Sequence, residues 1–223
     1  MSEEEATKKP DRSRIGKSNV RKGKTLERRV AHLLTDWTGV EFRRRRVEGR
    51  DATVVEREST ADVIPVKGMV HCSIEAKSGH GFSLDALLSS HETTIFTSWW
   101  HQATYDCTIL ETVFKRSFFP MLFFKPHANF DWVAVDQRLF LFNILKPSVL
   151  AAANYAKSLE VNQPIWFPSI SYGYYHIAPK ISLNVSHSKN NKVFESLQLP
   201  SLFFCRWKDF AANIDPTSFF VET

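Results

Sequence analysis

The sequence predicts an α/β fold: a small mixed β-sheet flanked by helices, followed by a β-rich C-terminal extension. Three observations predict it. Gly23 to Trp37 places Leu26, Val30, Leu33, Leu34 and Trp37 at helical spacing. Val70 to Lys77 alternates with period two, so Val70, Cys72, Ile74 and Ala76 share one parity and His71, Ser73, Glu75 and Lys77 the other. The apolar run Pro120 to Pro126 is bounded by prolines, as a central strand would be, and Asp131 to Val135 follows as its antiparallel neighbour. Helical and strand-like segments therefore alternate along the chain, the pattern of a sheet with helices packed against it.

Taken in order, residues 1–20 are charged and lack periodicity, which predicts a disordered basic arm. Residues 21–147 form the expected core and 148–223 the extension, an accessory or dimerisation element. The first helix starts near Gly23 and stops at Gly39. Val40 to Val47 reads as a strand with alternate arginines outward, turned by Glu48-Gly49-Arg50, and Asp51 to Ser59 leads on to Asp62. Lys67-Gly68 supplies a turn that folds Asp62 back beside Glu75. Phe82 to Ser90 is expected to be a loop and short helix, and Thr97 to Phe114 a longer helix. Leu139 to Leu145 begins another helix, stopped at Pro147. In the tail, Tyr172 to Val185 suggests strands, and Leu202 to Cys205 suggests a strand running into a helix at Trp207.

The chemistry concentrates in Asp62, Glu75 and Lys77. A strand would set Glu75 and Lys77 side by side on one face, with Asp62 returned next to them by the turn. Glu-x-Lys alone is an ordinary strand pair worth little. With an upstream Asp and a turn between, it describes two carboxylates and an ammonium converging at a strand end. Such a set suits Mg²⁺, with Mn²⁺ as a substitute: a hard ion that takes carboxylate oxygens and keeps some of its waters. The ion would lower the pKa of a bound water and polarise a phosphoryl oxygen. Lys77 would orient or deprotonate the water, or stabilise charge on the transition state, and the residues leave that choice open. Glu27 shares a stripe with Ala31 and Leu34 at the edge of the buried face, from which its carboxylate could reach the same ion. The plainer reading is an acid near a helix N-terminus, favoured by the macrodipole.

A helix with Gly-x-x-x-Glu-Arg (Gly23 to Arg28), an arginine-rich strand, and then Asp62 … Ile74-Glu75-Ala76-Lys77 resembles the PD-(D/E)xK nuclease superfamily. Within it, the likeness is to archaeal-type Holliday-junction resolvases and the related bacterial RecU-like group, over about residues 20–145. The resemblance implies a restriction-endonuclease-like core and a metal-dependent active site built from Glu27, Asp62, Glu75 and Lys77. Glu27, Asp62 and Glu75 would then be metal ligands. It further implies a structure-specific endonuclease acting on branched DNA, and a homodimer, because a symmetric junction is cut by two paired sites. Some members carry a glutamine on the helix after the hairpin, a place Gln102 could fill, although Gln102 also reads as an ordinary polar helix residue. The family's proline before the Asp is Ala61 here, and Ser59 and Thr60 stand where archaeal-type members often carry a serine.

Charge distribution agrees. The chain carries a net +5, but residues 1–50 hold fifteen Lys/Arg against eight Asp/Glu, so the basic excess lies wholly at the N-terminal end. Lys22, Lys24, Arg28, the run Arg43-Arg44-Arg45-Arg46 and Arg50 are the candidate DNA-binding residues, offering sequence-independent, salt-sensitive phosphate contacts. Such a run could also be a solvated face or an address. Three unpatterned cysteines point to reduced thiols in a cytoplasmic or nucleoid-associated setting, cellular or viral, and no clustered Cys/His set suits zinc. No signal-peptide pattern appears, and the longest apolar run, Phe118 to Phe124, is too short to cross a bilayer. Gly16-Lys17-Ser18 and Gly23-Lys24-Thr25 lack the upstream glycine of a phosphate-binding loop. Eighteen Phe and six Trp are read as core rather than as base-stacking surfaces.

Overall fold

A computed structural model describes residues 12–45, 60–78, 82, 94–125, 131–141, 164–167, 172–175 and 201–220. Helix α1 (Arg12–Thr38) leads into strand β1 (Phe42–Arg44), the hairpin β2 (Val63–Pro65) and β3 (Cys72–Lys77), and helix α2 (Thr94–Phe114). Strands β4 (Phe119–Phe124) and β5 (Trp132–Asp136) follow, then short α3 (Gln137–Leu141), β6 (Pro164–Phe167), β7 (Tyr172–Tyr175), β8 (Leu202–Arg206), α4 (Trp207–Asn213) and a 3₁₀ turn (Pro216–Phe219). Among the described residues the strands form one eight-stranded sheet in the order β1-β2-β3-β4-β5-β8-β7-β6. Only β3 and β4 are parallel, Glu75 lying beside Leu122; the remaining neighbours are antiparallel. A parallel pair needs a long crossover, and α2 supplies it, packing on β3 and β4.

The sheet has two unlike faces. On one, Leu26, Val30, Ala31 and Leu34 of α1 meet Val63, Ile74, Ala76, Met121 and Phe123 in a continuous core that also takes Trp207 and Phe210 of α4. Trp37 closes it, its ring 5.4 Å from Trp207 and 5.4 Å from Phe219. On the other face, under α2, apolar packing is divided. Phe96, Trp100, Leu122, Phe124 and Phe204 form one cluster, and Cys107, Leu110 and Phe118 another. Burying side chains of this size stabilises the fold by about 1.5–3 kcal/mol each.

Several expectations change. Helix α1 starts at Arg12, inside the stretch expected to be a disordered arm. Once the packed turns around Leu26 to Leu34 nucleate a helix, each upstream residue adds a hydrogen bond at little cost. Glu27 is consequently mid-helix, far from any macrodipole benefit. The alternation of β3 sets Glu75 and Lys77 on the face opposite its apolar parity, and the interior strand is covered there by the crossover helix, so Cys72 to Ala76 are all buried. The first strand spans Phe42–Arg44, shorter than the expected Val40 to Val47. In keeping with the expected β-rich C-terminal extension, β8 joins the sheet by pairing β5 along Trp132 to Asp136. Other expectations are met closely. Gly39 and Gly68 adopt positive φ (71° and 77°) at the helix stop and the hairpin turn. No disulfide joins the three cysteines, and all are buried. Residues 46–59 and 83–93, the end of the expected Leu139 to Leu145 helix and the expected strands beyond Tyr175 lie outside the described residues. No helix among the described residues is long and apolar enough to cross a membrane.

Candidate active site

The hairpin brings Asp62 against β3 by main-chain and side-chain bonds together. Asp62 N donates to Ile74 O at 2.9 Å, and Asp62 Oδ2 accepts from Ala76 N at 3.0 Å. Glu75 and Lys77 project from β3 on the parity opposite Ile74 and Ala76, towards α2. Lys77 Nζ lies 2.8 Å from Glu75 Oε2 and 3.9 Å from Asp62 Oδ2, so one ammonium sits between two carboxylates. Asp62 and Lys77 keep some solvent access, whereas Glu75 is 0% exposed. The three residues that the sequence singled out are therefore in one place.

A fourth group joins them from the helix. Asp106 of α2 is 7% exposed, and its carboxyl contacts that of Glu75. Thr60 steadies it, the hydroxyl donating to Asp106 O at 3.4 Å. Asp106 was not among the sequence candidates, yet a signal exists. It stands three residues after Ala103 and four before Leu110, both buried, and so interrupts an apolar helix stripe with an acid. Gln102 lies one turn earlier on α2 and is half-buried.

Electrostatics follow from crowding. Burial, then the charge of Asp62, pushes the Glu75 carboxyl well above the ordinary carboxylate value, with Lys77 opposing. Burial likewise raises Asp106, to about 6, against the opposing contacts of Glu75, Thr60 and Lys77. Burial acts to lower Lys77, but Glu75 and Asp62 outweigh it and hold the ammonium above its usual range. Neither Glu75 oxygen receives an aligned hydrogen bond, although both are buried. Its neighbours are the Lys77 ammonium and a second carboxyl, which can bond to it only by holding a proton.

Among the described residues no three His, Cys, Asp or Glu side chains are arranged to hold a metal ion as they stand. The donor chemistry nevertheless fits a hard divalent ion. Three acids face a single ammonium, and the buried Glu75 oxygens lack fixed donors. Asp62 and Glu75 are the side chains that would hold the ion.

The remaining sequence candidates are distributed differently. Glu27 forms an ion pair with Arg44, binding mid-α1 to the end of β1 rather than joining Asp62 and Glu75. Phe42 belongs to the α1-side core and Arg44 reaches α1, so the strand's alternation turns Arg43, between them, to the α2 side. Arg45 follows next to Asp62, its N–H donating to Asp62 O at 2.9 Å. Lys22, Lys24 and Arg28 are exposed on α1. Arg46 and Arg50 lie outside the described residues.

A family model described as phage putative PDDEXK endonuclease matches residues 18–165, which holds most of α1, the hairpin, α2, β4 and β5. The chain belongs to that family. Its membership in the PD-(D/E)xK superfamily is thereby shown. Comparisons with curated proteins and with solved structures find no match. Asp62, Glu75 and Lys77 all lie within the matched residues.

Proposed function

We propose that this protein is a metal-dependent DNA endonuclease that hydrolyses phosphodiester bonds, with Asp62, Glu75 and Lys77 as its catalytic core. The carrying observation is the meeting of these three side chains at 2.8 and 3.9 Å, where the apolar packing under α2 parts into two clusters. A buried carboxylate costs on the order of several kcal/mol, and a fold that needs only stability has no use for such a group here. Bound Mg²⁺ or Mn²⁺ would supply an activated water and charge neutralisation at the phosphoryl group. Lys77 keeps its proton and lies beside both acids, suited to stabilising negative charge as it develops on phosphate oxygens. Asp62, partly exposed and fixed by the Ala76 N–H, gives the site its solvent-facing side.

DNA is the substrate class that the family supports and that the basic N-terminal region suits. The exposed Lys22, Lys24 and Arg28, with Arg43 and with Arg45, whose backbone bonds Asp62, would hold the phosphate backbone. Branched DNA is the preferred form in this reading, on the resemblance to resolvases, and a two-fold homodimer in the cytoplasm or nucleoid would set two active sites across a junction. A second reading keeps the chemistry and changes the substrate: a phage-type nuclease for duplex or single strands, favoured by the family description. Glu27, committed to Arg44, acts in this reading as a structural brace. Incubating the protein with labelled junction, flap, duplex and single-stranded DNA, with Mg²⁺ or with chelator, decides between them. Preferential junction cutting with Mg²⁺ supports the first; equal or better duplex cutting supports the second; no cutting of any substrate removes both.

A further inference from the structure

The two apolar clusters under α2 are separated by a polar strip, and the helix contributes its own acid to it. Asp106 is 7% exposed on the inward stripe of α2, between the buried Ala103 and Leu110 and next to the buried Cys107. Asp is a weak helix former and is almost never buried without a partner. Among the described residues the cation acting on it is Lys77, already 2.8 Å from Glu75, and two of its neighbours, Glu75 and Asp62, are acids. The Thr60 hydroxyl lies against the Asp106 carboxyl and bonds the Asp106 backbone at 3.4 Å, and the second contact would survive loss of the carboxyl. Packing alone would thus be served better by an apolar or neutral side chain.

A second observation sits opposite. Glu75 is 0% exposed and neither of its oxygens receives an aligned hydrogen bond. Among the described residues, the Asp106 carboxyl lies against it beside the Lys77 ammonium. We propose that Asp106 is a further acidic residue of the active site, a positioning residue that holds Glu75 in the orientation from which Asp62 and Glu75 take up the divalent ion. The inference rests on the nuclease reading above. It assigns to α2, rather than to Glu27 of α1, the third carboxylate around the site. Two carboxyls without an intervening donor repel when both are ionised, and a divalent ion relieves that repulsion. The same crowding lowers stability when no ion is present, as expected where function and stability conflict.

The consequence is a pair of effects with opposite signs, which a purely structural residue would not give. In the full-length protein, Asp106→Asn should melt at an equal or higher temperature than wild type in chelator. Its half-saturating Mn²⁺ concentration, measured by calorimetry without DNA at pH 7.5, should rise about 10–100-fold, the range for residues that orient metal ligands. Cleavage should need correspondingly more Mg²⁺, with the maximal rate at saturating ion falling far less than in Glu75→Gln. Asp106→Ser must show the same shift, and it replaces the Asn variant as the test if that one fails to fold. Wild-type Mn²⁺ affinity and Mg²⁺ dependence in these variants would overturn the assignment, whatever their melting temperatures. A wild-type protein that takes up Mn²⁺ and cuts DNA while Asp106→Asn does the same equally well sinks this inference alone. A wild-type protein that does neither sinks the nuclease reading with it.

Discussion

The two faces of β3 obey different rules. Towards α1 the strand presents Cys72, Ile74 and Ala76, which disappear into an unbroken apolar core with Leu26, Val30 and Leu34. Towards α2 it presents Ser73, Glu75 and Lys77, and there the apolar packing parts into two clusters around acids and an ammonium. Both faces are buried, so the difference is not one of core against surface. One face supplies the stability that the other gives up. Neighbouring residues on the same strand, Ile74 and Glu75, are both 0% exposed, and replacing them should have opposite consequences.

The largest expected effect breaks that symmetry on the α2 side. Glu75→Ala, Lys77→Ala or Asp62→Ala should lower single-turnover DNA cleavage by on the order of 10²–10⁴-fold, while DNA affinity measured by fluorescence anisotropy stays within a few-fold. Loss of binding in proportion to cleavage would place these residues in DNA docking instead. On the α1 side, Leu34→Ala should cost about 2–5 kcal/mol in urea unfolding, with cleavage per folded molecule unchanged.

Acidity sharpens the contrast. Glu75 and Asp106 both have folded-state pKa values raised above those of the unfolded chain, Asp106 to about 6. A carboxyl raised on folding contributes stability that is fully present below its unfolded pKa and is lost as pH rises through its folded value. In chelator, the melting temperature should therefore fall as pH rises from about 4 through about 6 and beyond. Asp106→Asn should flatten part of that fall, and adding Mg²⁺ at pH 7.5 should restore stability to wild type. A melting temperature independent of pH across this window would mean that the acids are not crowded.

Smaller differences divide the arginine run. Arg44→Ala removes the brace to Glu27 and should cost about 1–2 kcal/mol of stability. The double substitution Arg43→Ala and Arg45→Ala should instead weaken DNA binding at all sequences alike and reduce its salt dependence by about two counterions. A stability loss in the double variant with DNA binding intact would reverse the sorting. Smallest of all, Arg29→Ala should cost about 1 kcal/mol or less, because its 2.7 Å pair with Asp131 leaves the guanidinium half-exposed.

Much of this was legible in the residues, for local reasons. A Lys-Gly turn, a period-two strand and an Asp upstream are all readable within sixteen residues, Asp62 to Lys77, and they assemble as the spacing implies. The strand expected from Pro120 to Pro126 forms as Phe119–Phe124, with Pro120 inside it, and the α2 helix was equally plain. What escaped depends on distant partners. Asp106 contacts Glu75 across thirty-one positions of chain, and its place over the site follows from the crossover that parallel pairing demands. Glu27 was read towards the metal because its helix stripe allows that direction, but a stripe does not say which strand lies beneath it, and Arg44 captures the carboxylate. The tail gave too little alternation to reveal that β8 would extend the central sheet through β5, or that Pro164–Phe167 would form a strand at its edge.

The most direct measurement is single-turnover cleavage of labelled DNA by wild type and by Glu75→Gln, each with Mg²⁺ and with chelator, alongside melting curves of both proteins. Cutting by wild type in Mg²⁺ alone, with an inactive Gln variant that melts at an equal or higher temperature, is the result this account predicts. Cleavage by Glu75→Gln at the wild-type rate, or by wild type in chelator, would contradict it.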